Sequence, residues 1–397
     1  MFFQIITKNV RIGHDVLTMR LRHPNEYQFE PYIGNSLYSH LTNIKDEITK
    51  NASQWDRYKK YTNVYEYVHT IIPELKMSVC KYKPISRSFY KMIEILQCFH
   101  IIKDFEEHYG DIALRTFHLA EGPGGFIEAL QYTRPLATDD KYIGMTLQSQ
   151  CQNTPGWKKS SSALLKGGRF EIENGEDNSG DVTHTCNFDY CVKKYGGTID
   201  LVTADGGFDF TGDFNNQELT AMRLILCETL TALALQKKGG YFVLKIYDIF
   251  MKTTIELIYL LCNLYEGVFM YKPHMSRVAN SEKYIVCKVL LYDITPEWIE
   301  RFRCCIQRME DKPGYIVESI LNIELDNMFV TKINDICSVI GQQQLENIST
   351  TLNLIQTRKS DKIDTYKKNN IIQCVSWCMK HNMPYNDVKK ALPNTEN

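Results

Sequence analysis

Between residues 115 and 292, short apolar runs alternate with segments long enough to be helices, and this limits the chain to one kind of fold. RTFHLA (115–120), KYIGMTL (141–147), TIDLVTAD (198–205), GYFVLKIY (240–247) and KYIVCKVLLY (283–292) read as strands. Helices are predicted from about residue 125, over 215–237, and over TTIELIYLLCNLY (253–265). Strands separated by helices of that length assemble into a mostly parallel sheet covered on both faces, so the expected class is α/β and doubly wound.

The flanks read differently. Residues 1–80 are polar and rich in tyrosine, with helix-length segments around 36–50 and 53–70. In SRSFYKMIEILQCFHIIKDFEEH (86–108), Phe89, Met92, Ile93, Leu96 and Phe99 recur at intervals of three and four. That spacing predicts one amphipathic helix, with Ser86 as its N-cap after the breaker Pro84. Thr295-Pro296-Glu297 opens another helix with proline at its first position. From there the chain reads as helical to about 392, broken at Lys312-Pro313-Gly314, and Pro393 to Asn397 are expected to fray. The expected division is an N-terminal helical extension (1–80), the α/β domain (81–293) and a helical C-terminal region (294–397).

Charge and cysteine usage exclude several classes. With 46 basic and 47 acidic side chains the formal charge is −1. A uniformly basic nucleic-acid coat is therefore ruled out, and any RNA site must be a local basic patch. No run of about 18 uninterrupted apolar residues occurs, so no spanning helix and no membrane partner are expected. The start MFFQIITKNVRIGHD turns polar too soon for a secretory signal.

The 13 cysteines are scattered without a Cys-x-x-Cys pair. Neither His184/Cys186/Cys191 nor Cys374/Cys378/His381 has zinc-site spacing, so free thiols in a reducing compartment are expected, and no metal. The sequons at Asn51 and Asn347 would matter only in a secreted protein. With no run of five or more basic residues, the expected location is the cytoplasm, a nucleus or viral factory being the alternatives.

FHLAEGPGGFIEAL places glycines 122, 124 and 125 straight after the first strand of the α/β region, where the backbone can approach a ligand at the carboxyl edge of a sheet. Counting from Gly122, a dinucleotide fingerprint fails at Ile127; counting from Gly124, it fails at Phe126. No Gly-Lys-Ser/Thr follows, so the turn is not a P-loop. A nicotinamide dehydrogenase is disfavoured. A nucleoside-type cofactor and a tight turn made for packing both remain.

AEGPGGF resembles the S-adenosylmethionine-binding loop of FtsJ-type ribose 2′-O-methyltransferases. The resemblance extends through GMTL (144–147), GDVT (180–183), DLVTADGGFDF (200–210), GGYFVLKIYD (239–248) and SRVANSEKYIVCK (276–288), covering roughly residues 80–292. Their order and spacing are similar to the branch that methylates the mRNA cap. The resemblance implies a Rossmann-like fold, S-adenosyl-L-methionine as cofactor and capped mRNA as substrate, with other capping or transcription proteins as further partners. Methylation would fall on a ribose 2′-hydroxyl of the first nucleotides.

The family's Lys-Asp-Lys-Glu tetrad falls on Lys91, Asp205, Lys245 and Glu282. A 2′-hydroxyl is a poor nucleophile, so it must be oriented in line with the methyl group and lose its proton. By resemblance Lys245 takes that proton, Asp205 and Glu282 orient it, and Lys91 steers the hydroxyl. Desolvation and a neighbouring ammonium push the lysine's pKa down while carboxylates push it up; the sequence does not say which wins. Singly, each residue reads as a surface lysine, a turn-capping aspartate or an ordinary Glu-Lys pair; the four together, behind the glycine turn, read as a site.

For the cofactor, the resemblance implies contacts from Glu121, Gly122, Pro123, Gly124, Gly125 and Phe126, from Thr146 and Leu147, from Asp181 and Val182, and from Asp205. Asp181 also reads as a turn or helix cap. No acid ends the second strand to grip a ribose. On the RNA side, Lys83, Arg87, Arg277, Asn280 and Ser281 are the candidates, with Lys81, Lys272 and Lys283 adding local charge. A cationic cap base prefers a π face, and Trp55, Tyr58, Tyr61, Tyr65, Tyr67 and Phe208 are available. The competing readings are a 2′-O-methyltransferase of ribosomal or transfer RNA and a non-catalytic RNA-binding subunit of a capping complex.

Overall fold

In a computed structural model, residues 2–7, 11–110, 113–148, 156, 157, 164, 168–208, 213–358 and 360–388 are described. Pro393 to Asn397, expected to fray, lie outside them. Ten strands are β1 (Phe2–Ile5), β2 (Leu17–Arg22), β3 (Arg115–Leu119), β4 (Lys141–Met145), β5 (Phe170–Glu173), β6 (Ile199–Ala204), β7 (Gln236–Ile246), β8 (Tyr265–Tyr271), β9 (Lys283–Leu290) and β10 (Ile316–Leu321) among the described residues. The helices, likewise, are α1 (Asn35–Lys50), α2 (Ala52–Thr62), α3 (Ser88–Cys98), α4 (Ile101–Tyr109), α5 (Gly125–Thr133), α6 (Thr185–Tyr195), α7 (Gln217–Leu235), α8 (Lys252–Leu264), α9 (Pro296–Asp311), α10 (Asn327–Thr357) and α11 (Ser360–Lys380).

The main sheet runs β1-β8-β9-β7-β6-β3-β4-β5. From β7 to β5 every neighbouring pair is parallel. β9 runs antiparallel between β7 and β8, and β1 closes the far edge antiparallel to β8. The expected α/β, doubly wound, mostly parallel class is the observed one. β3 is flanked by β4 on one side and β6 on the other, so the strand order reverses there and a crevice opens at the carboxyl ends.

The side-chain period of two divides the core between the faces. Phe242, Leu244 and Ile246 of β7 pack with α7 and α8, whereas Tyr241 and Val243 face the cluster that holds α3 and α5. Lys245 falls on this second face, in register with Tyr284 of β9. The central strand β6 is buried along its whole length, as a strand covered on both faces must be.

Five strands lie outside the sequence expectation. β8 follows α8 without a linker, so its apolar residues merge with the helix pattern; β5 is a short, charged edge strand. β1 and β2 lie in the polar N-terminal stretch. β10 interrupts the expected C-terminal helices because its partner is β2, nearly 300 residues earlier.

The helix expected over 86–108 is two helices, broken where His100 takes a left-handed φ of 53°. Its N-cap position is Arg87, not Ser86, whose Oγ accepts Ser88 N at 3.3 Å and pairs with Ser88 Oγ. α3 is also not amphipathic: every residue from Phe89 to Leu96 is buried. The segment expected as helical over 53–70 ends at Thr62 and continues as a short 3-10 turn, Glu66–Val68.

The two flanks pack on each other. Ile48, Trp55 and Tyr58 share a cluster with Ile348, Leu354 and Ile355. The α1–α10 crossing is close enough that a Cβ on Gly341 would collide with Leu37.

Candidate active site

A cleft of about 910 Å³ opens at the carboxyl ends of the parallel strands. Gly122, Thr146, Leu147, Asp181, Val182 and Asp205, all expected cofactor contacts, line it. Glu121, Pro123, Gly124, Gly125 and Phe126 do not.

The geometry of the turn after β3 explains the split. Gly124 has a φ of 105°, and a Cβ there would strike Leu164. A Cβ on Gly125 would strike the hydroxyls of Ser86 and Ser88 and come within 2.8 Å of Phe89 N. These two glycines serve packing, the second letting the start of α3 lie against α5. Phe126 is buried, its ring 6.0 Å from that of Tyr284. Glu121 folds back so that its Oε1 accepts Phe126 N at 2.7 Å, while Oε2 is buried without a partner among the described residues. Burial, with the Asp205 charge adding, pushes this carboxyl well above its ordinary value.

The GDVT turn approaches from the other side. Gly180 has a φ of 66°, and any Cβ would meet the carbonyl of Thr146, so glycine is required for the two cleft loops to touch. Asp181 Oδ1 accepts Thr183 N at 2.8 Å and Thr183 Oγ1 at 2.7 Å. It therefore caps its own turn while also facing the cleft.

Asp205, Lys245 and Glu282 line one end of the cleft, and Lys91, which does not line it, reaches them through Glu282. Lys245 Nζ donates to the Asp205 carbonyl at 2.6 Å and lies 3.3 Å from Asp205 Oδ1. Lys91 Nζ is 2.8 Å from Glu282 Oε2 and 3.3 Å from the Tyr284 hydroxyl, which donates to Asp205 Oδ1 at 2.8 Å. Ser276 Oγ donates to Glu282 Oε1 at 2.8 Å, and Lys272 Nζ donates to the Glu282 carbonyl at 2.6 Å.

The electrostatics answer what the sequence left open. Burial alone would push the Lys245 ammonium down; Asp205 and Glu282 outweigh it and hold it above its ordinary value. Burial would push Glu282 up, yet Lys91 and Lys245 hold it well below the usual carboxylate range. Lys272 goes the other way: burial and the nearby Lys283 push it down to about 7. Glu228 of α7 sits beneath the Asp205–Gly206 turn, accepts Gly206 N at 3.2 Å, and is pushed up by burial to about 8.

The expected RNA contacts divide as well. Asn280 and Ser281 line the cleft, and Ser281 Oγ donates to Gln217. The three cations do not line it. Lys83 donates to Ser78 and to the Cys80 carbonyl, and Arg87 Nη2 donates to the Met275 carbonyl at 2.8 Å. Arg277 forks onto the buried Glu66 at 3.2 and 3.0 Å. Of the aromatics, Trp55 and Phe208 line the cleft, while Tyr58 and Tyr67 are core residues.

Sequence reasoning missed Lys45 of α1, which lines the cleft and forms a buried 2.7 Å ion pair with Asp248, and Gln344 of α10, whose Nε2 donates to the Ala279 carbonyl. No local pattern marks either, because each acts from a flank. Tyr284 was legible in principle: it lies two residues after Glu282, at the start of the strand that Glu282 precedes.

This sheet order, with a glycine turn after β3 and a cleft at the strand ends, defines an α/β methyltransferase fold. Residues 84–290, more than half of the 397, match the FtsJ-like methyltransferase family. The chain belongs to that family.

Among curated relatives, it is 28% identical over 365 residues to cap-specific mRNA (nucleoside-2'-O-)-methyltransferase 2 of Danio rerio, covering 86% of this chain and 47% of that protein. It is 37% identical over 190 residues to cap-specific mRNA (nucleoside-2'-O-)-methyltransferase 1 of Mus musculus, covering 45% and 22%. It is 33% identical over 199 residues to a Caenorhabditis briggsae protein named as the inactive cap-specific mRNA (nucleoside-2'-O-)-methyltransferase 1B, covering 48% and 23%. The chain thus spans less than half the length of these relatives.

Proposed function

We propose that this chain transfers a methyl group from S-adenosylmethionine to a ribose 2′-hydroxyl among the first nucleotides of capped mRNA. The observation that carries the reading is the placement of Lys245 Nζ beside Asp205, at the end of a cleft whose other walls are the glycine turn and the Thr146 and Asp181 loops. The volume suits a nucleoside cofactor together with an acceptor nucleotide. Gly122, Thr146, Leu147, Asp181 and Val182 would hold the cofactor. When bound, S-adenosylmethionine supplies a methyl group already activated by the sulfonium charge.

The rest falls to the chain's own residues. Lys91, anchored by Glu282, steers the acceptor hydroxyl, and Lys245 Nζ receives its proton. In the free protein the carboxylates keep Lys245 charged. A positive group bound beside it opposes them and lowers the pH at which Nζ releases its proton. Lys45, Trp55, Asn280, Ser281 and Gln344 wall the acceptor end, so both flanks take part in substrate choice.

The relative named inactive shows that this degree of similarity also reaches proteins without activity, which makes the filled tetrad the stronger support. The test is labelled methyl transfer to methylguanosine-capped RNA, the same RNA uncapped, and ribosomal and transfer RNA. Incorporation that requires the cap supports the reading. Incorporation into uncapped, ribosomal or transfer RNA moves the substrate to the alternative class, and cofactor binding without transfer to any of them favours a non-catalytic subunit.

A further inference from the structure

The hydroxyl of Tyr284 stands between the two lysines of the site. Tyr284 is the second residue of β9, paired across the sheet with Lys245, and is completely buried. Its oxygen receives a 3.3 Å bond from Lys91 Nζ and donates a 2.8 Å bond to Asp205 Oδ1. The same Oδ1 is the carboxylate oxygen that Lys245 Nζ approaches at 3.3 Å. One oxygen of Asp205 is thus shared between a neutral donor and a charged one.

Resting on the reading of Lys245 as the proton acceptor, we propose that Tyr284 is a positioning residue that moderates Asp205's grip on the Lys245 ammonium and couples that grip to the placement of Lys91. A hydroxyl donated to a carboxylate takes up part of its negative charge, so the carboxylate holds a competing ammonium less tightly. Burial, with the charges of Asp205 and Glu282 adding, holds the phenol well above its ordinary value, so it stays a neutral donor.

The other groups facing Lys245 are unchanged by loss of that hydroxyl. They are Glu282 before β9, Tyr247 on β7, Glu228 from α7 and Glu121 from the turn after β3, with Lys91 of α3 reaching it through Glu282. Removing the hydroxyl therefore takes away only its two bonds, the one donated to Asp205 and the longer one received from Lys91. It also leaves the ring, and its packing 6.0 Å from Phe126, in place.

The test is Tyr284→Phe in the full chain. At neutral pH kcat is expected to fall about tenfold. The pH at which kcat is half-maximal should rise by roughly half a unit or more, because Asp205 then holds the Lys245 proton more tightly. Cofactor affinity should stay within about twofold, since Gly122, Thr146, Leu147, Asp181 and Val182 keep their places and Asp205 keeps its charge. A variant that loses activity without moving its pH profile would show a merely structural role and overturn the inference.

A second readout needs no turnover. The exchange of the Lys245 Nζ protons with water, followed by 15N NMR and assigned with Lys245→Met, should slow in Tyr284→Phe. Unchanged exchange would overturn the inference even in a protein that transfers no methyl group. Wild-type protein inactive on every RNA, with slowed exchange in the variant, would leave Tyr284's role standing and sink only the proposed function.

Discussion

Lys91 and Glu282 are 191 residues apart in sequence and form a 2.8 Å ion pair. The pair is fixed from both ends. Lys91 sits on a helix buried from Phe89 to Leu96, and Glu282 sits on a turn held by Lys272 and Ser276. One helical turn after Lys91, Glu94 accepts Tyr271 Oη, His274 N, Met275 N and Trp377 Nε1 at 2.7–2.9 Å. α3 is thereby tied to the loop that leads to Glu282 and to α11.

Glu94→Ala should therefore cost about 3–5 kcal/mol of stability, because it strips a buried carboxylate from four donors and leaves them unsatisfied. Urea unfolding of wild type and variant at pH 7 measures it. A loss under about 1 kcal/mol would mean that the loop and α11 are held by something else.

The Glu66–Arg277 pair makes a prediction about acid. Burial would raise the Glu66 carboxyl, but Arg277, Arg87 and Asn63 bring it from 4.5 down to about 2. A depressed carboxyl contributes its stability above the unfolded value and loses it as pH falls. The contribution, of about 3 kcal/mol, is thus complete above roughly pH 4.5 and gone below about 2. Wild type and Glu66→Gln should differ most near neutrality and converge by pH 2–3. A constant gap across that range would contradict the assignment.

Glu228 carries the opposite sign. Its carboxyl is pushed up to about 8 by burial, so ionising it costs the folded state, and stability falls as pH rises from 4.5 to 8. Glu228→Gln should match wild type near pH 4.5 and exceed it near pH 8–9 by up to about 4 kcal/mol. Thermal unfolding at the two pH values checks this, and a variant less stable than wild type at pH 9 would count against a neutral buried carboxyl.

Gly125→Ala tests the packing account of the glycine turn. The added methyl meets Ser86, Ser88 and Phe89 N, so α3 must move, and Lys91 with it. A stability loss of about 1–3 kcal/mol is expected, with a kcat loss exceeding any change in cofactor affinity. Cofactor affinity lost first, measured by calorimetry, would mean that Gly125 serves the ligand directly.

How far the sequence could be read follows from where each signal sits. β3, β4, β6, β7 and β9 were legible because their apolar runs lie between turns, and the nearness of Lys91, Asp205, Lys245 and Glu282 because the motifs that carry them keep a fixed order. The break at His100, the pairing of β2 with β10 and the contribution of Lys45 were not legible. The strand pairing and the Lys45–Asp248 contact join residues distant in sequence, and the break is a single left-handed residue; periodicity registers neither. The glycine turn shows a subtler limit. Gly122, Gly124 and Gly125 look alike in sequence, yet one lines the cleft and two permit close packing. The basic residues Arg87 and Arg277 likewise read as surface charge, while the fold uses them to satisfy the Met275 carbonyl and Glu66.

The central claim is that Lys245 accepts the proton of a cap-proximal 2′-hydroxyl. The most direct measurement is single-turnover methyl transfer to capped RNA, with the product digested and its nucleosides identified by mass spectrometry, for wild type and Lys245→Met. The account predicts one added methyl on the ribose of one of the first nucleotides, none when that ribose is 2′-deoxy, and a rate loss of about a thousandfold or more in the variant with cofactor affinity kept within a few fold. Methyl found on a base, or a Lys245→Met protein that transfers at the wild-type rate, would contradict it.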